Sequence, residues 1–89
     1  MNPIEVKQSI LAEAAQARQR DVLLYQINID NFLLAIEEIR VNHRDDPSLN
    51  AFSDQLKEQL AANQAEQAKE KIMLTVIERQ LEALTNSPS

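Results

Sequence analysis

Apolar positions in the first half of the chain fall into one unbroken heptad register. Ile4, Leu11, Tyr25, Phe32 and Ile39 recur with Arg18 at every seventh residue, and Gln8, Ala15, Val22, Ile29, Ile36 and His43 follow each of them by four. Alternating steps of four and three keep both sets on one seam of a long helix, the pattern that winds helices around partner helices. The second half repeats the pattern more weakly. Leu49, Leu56, Asn63, Glu70, Ile77 and Leu84 alternate with Ser53, Leu60, Gln67, Leu74 and Leu81, so this seam is polar at its middle. Polar residues at seam positions lower stability and select register or oligomer state. Arg18 of the first helix is expected close to Glu70 of the second. A strand-like alternation at residues 25–30 is too short, inside forty residues of helical pattern, to displace the helix.

Boundary signals divide the pattern into two helices. Asn2 can cap the first, Pro3 suits its first position, and Glu5 can reach back to complete a capping box. Near the middle, Arg40, His43 and Arg44 fit the negative end of a finishing helix. Asp45, Asp46 and Pro47 then fit the start of another. The sequence therefore predicts an all-α fold. It is an antiparallel two-helix hairpin with coiled-coil-like packing, occupying residues 1–86: a first helix over about 3–43, a turn at 44–47 and a second helix over about 47–85. Residues 87–89 follow as a flexible tail. Each helix would run about 60 Å at 1.5 Å per residue.

Folding about that turn pairs residues whose numbers sum to about 90. It sets Ala12, Ala14, Ala15 and Ala17 against Met73, Leu74, Val76 and Ile77. Likewise Tyr25, Ile29 and Phe32 should meet Ala61, Ala62 and Ala65, a large-to-small match of the kind that interdigitating cores require.

A second apolar stripe changes the picture. Val6, Ile10, Ala17, Leu24, Ile27, Leu34 and Val41 lie on roughly the opposite side of the first helix from the seam. One hairpin partner cannot cover both sides, and an exposed stripe would be a larger apolar patch than soluble monomers usually carry. The expected outcome is a four-helix bundle from two hairpins or a larger oligomer, with Ile10, Leu24, Ile27, Leu34 and Val41 at the interface. Length agrees, because 89 residues in an extended hairpin bury little surface alone.

Composition removes whole classes of chemistry. Without glycine there is no phosphate-cradling loop of the P-loop or dinucleotide kind. Without cysteine there are no disulfides or thiolate metal sites, which fits a reducing, cytoplasmic setting. No basic and apolar leader opens the chain. The apolar stretch 22–41 carries too many polar and ionised side chains to span a bilayer, so no membrane is expected. The lone histidine, His43, sits at a helix end, where a basic side chain has a structural role. Arg40 occupies the position three before it, so the Glu-x-x-His motif of di-iron bundles is absent. Glu37 and Glu38 point about 100° apart on a helix and make a poor joint ligand pair. The serines have no base near them in sequence. No catalytic, cofactor-binding or metal-ligating residues are assigned, and no enzyme activity is expected.

Net charge is −5, with +1 over residues 1–20, −4 over 21–46 and −2 over the remainder. That balance argues against direct nucleic-acid binding. Asp30, Glu37, Glu38, Asp45 and Asp46 form the acidic surplus and could face a partner. Two functions follow. The first is a non-enzymatic, homo-oligomeric protein–protein interaction module or adaptor, whose partners are other copies of itself and another protein. The second is a small acidic inhibitor or decoy that occupies a basic nucleic-acid-binding channel, its carboxylates standing in for phosphates. Small size, glutamine-rich helices and the lack of catalytic groups are compositional traits shared with short accessory proteins of bacteria and phages.

Overall fold

A computed structural model describes residues 2–86. It is all-helical: α1 spans Pro3–Asn42 and α2 spans Pro47–Thr85, packed side by side in a rod 67 Å long and about 15 Å across. Residues 87–89, expected as a tail, lie outside the described residues.

Both helix starts are set by side-chain caps. Asn2 is extended, and its Oδ1 accepts a hydrogen bond from the Glu5 N–H at 2.8 Å, ahead of Pro3 at the first helical position. The bond is the Asn2 half of the expected capping box. At the turn, Asp46 Oδ1 accepts from the N–H groups of Ser48 and Leu49 at 3.0 and 3.1 Å and from Ser48 Oγ at 2.8 Å. Two donors that α2 cannot satisfy internally are satisfied there. These bonds hold the Asp46 carboxyl below its ordinary range, the Ser48 hydroxyl contributing most. His43 closes α1, its N–H donating to the Ile39 carbonyl at 2.9 Å, and Asp46 N–H donates to the His43 carbonyl at 3.1 Å. Asn50 Nδ2 donates to the Arg44 carbonyl at 2.8 Å, tying the turn to the first coil of α2.

Protection from solvent follows the heptad register closely. The buried residues are Ala15, Ile29 and Ile39 on α1 and Ser53, Leu56, Gln67 and Ile77 on α2, all seam positions. The remaining seam positions are half-buried except at two ends. Ile4 and His43 are exposed, because α2 stops at Thr85 beside the former and the latter lies in the turn. Each helix has one neighbour, so burial is confined to a strip and no large side chain is completely enclosed.

The polar middle of α2 meets polar partners on α1. Arg18 Nη1 donates to both carboxylate oxygens of Glu70, at 2.8 and 3.0 Å, as the sequence led us to expect. Gln67, only 7% exposed, donates from Nε2 to the Val22 carbonyl at 3.1 Å and to Gln26 Oε1 at 2.9 Å. Gln26 in turn donates to Asp30 at 2.9 Å. Asn28 and Asn63 meet one layer nearer the turn, at 3.4 Å. These partners sum to 88–93, which identifies the antiparallel pairing and its register. Sliding α2 by one heptad would set Glu70 against Leu11 or Tyr25 and Arg18 against Asn63 or Ile77. A buried charge without its partner is costly, so the polar layers disfavour those slips.

The large-to-small match holds for half of one set of contacts and fails for the other. Ala15 is buried and Ala14 half-buried at the height of Leu74 and Ile77. Ala61, Ala62 and Ala65 are exposed and do not face Tyr25, Ile29 and Phe32. Ala12, Ala17, Met73 and Val76 are exposed as well. The sum rule fixes height along the rod, whereas the heptad phase fixes the side of the helix. The three alanines of α2 share the height of the aromatic residues but occupy the outer side.

Truncating the two partners of the cross-seam ion pair should have unequal effects. Arg18→Leu leaves Glu70, 18% exposed, short of both water and a partner, and should destabilise the hairpin by about 1–2 kcal/mol, between the values for exposed and buried pairs. Glu70→Leu should cost less, because the longer Arg18 side chain, 36% exposed, reaches water along its stem. The double Leu variant should recover at least wild-type stability. Urea denaturation followed by circular dichroism reads the order.

The Asp46 cap gives a second expectation. Asp46→Ala should lower the melting temperature by several degrees, and Pro47→Ala by less, because proline only preorganises the first position. The Asp46 pKa is lower in the folded chain than in the unfolded one, so the unfolded chain binds more protons in acid. Its contribution is present above the ordinary carboxylate range and disappears as pH falls through the lowered value. Melting curves across that range should show a shallower acid-side decline for Asp46→Ala than for the wild type.

Candidate interaction surface

The outer side of α1 is apolar and uncovered. Ile10, Leu24, Ile27, Leu34 and Val41, the residues expected at an oligomer interface, are all exposed, Leu34 at 69% and Ile10 at 61%. Val6 and Ala17 continue the same stripe and are also exposed. At 100° per residue the stripe is centred roughly 150° around the helix from the seam. It therefore points almost directly away from α2. Leu23 and Leu33, 63% and 49% exposed, lie between the stripe and the seam on one side of the helix.

Two open grooves lie on the apolar surface. Pro3, Val6, Lys7, Ile10 and Leu11 line one at the start of α1, continuous with the stripe. Lys71, Ile72, Thr75, Val76 and Arg79 line the other on α2. The sequence reading missed this second patch, in which Ile72, Met73 and Val76 are exposed on the side of α2 away from its seam. Its signal was present in the spacing of Ile72 and Val76, one helical turn apart, but the dominant seam residues Leu74 and Ile77 interleave with it.

The acidic residues do not converge on one site. Asp30 and Glu37 lie seven residues apart on one side of α1, about 10 Å along its axis. Asp30 accepts a hydrogen bond from Gln26. Glu37 is bound by Arg40 through contacts of 2.6 and 3.0 Å, and that guanidinium holds its carboxyl below the ordinary range. Glu38 Oε1 lies 4.0 Å from His43 Nε2. Asp46 caps α2, while Asp45 stands exposed in the turn. Three of the five carboxylates thus already have local hydrogen-bond partners.

Among the described residues no group of three or more metal-type side chains comes together. Nor is either helix long and apolar enough to cross a membrane. Comparison with protein families, characterised proteins and solved structures finds no match.

Proposed function

We propose that this protein is a non-enzymatic helical interaction module that works as a homo-oligomer, a pair of hairpins or more, and presents its remaining surface to another protein. The exposed stripe on α1 is the observation that carries this reading. A row of apolar side chains in heptad phase, interrupted by four polar residues, has no role in the hairpin that bears it. Left in water, each half-exposed Leu or Ile forgoes part of the roughly 1.5–3 kcal/mol that full burial contributes. Covering the stripe with a second hairpin recovers that energy and makes one four-helix assembly from two chains. A chain without cysteine suits the reducing cytosol in which we place the module.

The acidic-decoy reading has less support. A phosphate mimic needs carboxylates free to meet cations, yet Glu37 is occupied by Arg40, Asp30 accepts from Gln26, and Asp46 is engaged in capping. The acidic side chains also have an ordinary role, keeping a strongly apolar helix soluble.

Light scattering at micromolar concentration should give a mass at least twice the 10.1 kDa of one chain. Leu34→Asp should weaken self-association roughly a hundredfold or more, by burying an unpaired charge. It should leave helical content intact, because Leu34 touches water in the single hairpin. A compact monomer for the wild type, or an unchanged mass for Leu34→Asp, would overturn the proposal.

A further inference from the structure

Resting on the oligomeric reading above, we infer that the second copy docks antiparallel along the α1 stripe, α1 against α1, with the two-fold axis crossing α1 between residues 25 and 29. The polar interruptions of the stripe carry the argument. Between its apolar positions stand Glu13, Arg20, Asn31 and Glu38, each at a position where the same alternation of three and four residues returns to the stripe. In a parallel in-register pair every layer meets its own copy. Glu13 would then face Glu13, Arg20 would face Arg20 and Glu38 would face Glu38, three like-charge layers in one interface. A parallel pair shifted out of register does not close on itself and would continue as a filament.

Reversing one chain removes most of these conflicts. With the axis near residue 25, Ile10 meets Val41, Ala17 meets Leu34 and Leu24 meets Ile27, while Arg20 meets Asn31; the only like-charge layer is Glu13 with Glu38. With the axis one half-heptad further on, at residue 29, Leu24 meets Leu34 and Arg20 meets Glu38. Each contact occurs twice by symmetry. Both registers centre the overlap on the Leu24–Leu34 segment, the most exposed apolar stretch of the helix.

Area and phase agree with a pair of helices rather than a square bundle. The stripe from Val6 to Val41 is about 52 Å long at 1.5 Å per residue, and a helix is about 10 Å wide. Those dimensions give about 500 Å² on each chain, at the roughly 1,000 Å² total that specific interfaces require. A square bundle needs the two contact faces of a helix about a quarter-turn apart. Here they are roughly 150° apart, so the helices line up as α2, α1, α1 and α2 in a flat layer, the inner two from different chains.

Spin labels on single-cysteine variants of the full chain distinguish the arrangements, since the chain has no native cysteine. Ser9→Cys should give a label-to-label separation of about 50–60 Å, and Asp30→Cys a separation below about 20 Å. Short separations at both positions would show a parallel pair and overturn this inference, leaving the oligomeric module intact. Intermediate separations at both would place the axis elsewhere and overturn it equally. No dipolar coupling at either position, together with a monomer mass by light scattering, would overturn the module and this inference at once.

Discussion

The whole molecule depends on one strip of contact. Two helices of about forty residues meet along a single seam, and every buried side chain among the described residues belongs to it. A seam is not a core: a side chain between two cylinders is covered from the front and part of the sides, never all round. Hydrophobic burial therefore contributes less per residue than in a globular domain, and small differences at each layer decide which layer meets which. The rod gains its definition from those differences more than from the amount of surface it buries.

Polar residues within the seam are consequently informative. Arg18 with Glu70, and Gln67 with the Val22 carbonyl and Gln26, put polar groups of the α2 seam in layers where apolar side chains would have added more stability, and at the edge of the seam the exposed Asn28 meets Asn63. The shielded members, Glu70 and Gln67, meet these partners at this offset. A hairpin with Leu in these layers would hold together at several offsets, whereas polar layers favour the one that pairs them. The turn cooperates: Asp46 and Asn50 hold the connection short and fix where α2 begins.

Much of this was legible in the sequence because helices are periodic and local. The heptad positions predicted which residues would be shielded, and the Asn2–Pro3 and Asp46–Pro47 pairs marked the helix starts from nearest-neighbour chemistry alone. Arg18 with Glu70 followed from the turn and the register together. The misplaced alanines show where such reasoning stops: folding arithmetic gives height along the rod, and Ala61, Ala62 and Ala65 share the height of the aromatics while lying on the outer side. The α2 patch was hidden for a related reason, since Ile72 and Val76 interleave with seam residues in the linear sequence and separate only when wound into a helix. The acidic surplus gathers near the end of the first helix in the sequence; the structure divides it among an ion pair, a cap and solvated side chains.

The antiparallel course of the chain has a mechanical consequence. Asn2 and Asn86 lie at one end of the rod and the turn at the other, about 60 Å away. A pull applied between the two chain ends loads the seam one layer at a time, peeling α2 from α1 from the open end toward the turn. A pull between the turn and the chain ends acts along both helix axes and leaves every layer seated. The hairpin is accordingly soft to separation of its two ends and stiff along its length, so the layers around Ile77 and Ala15 yield before the capped turn does.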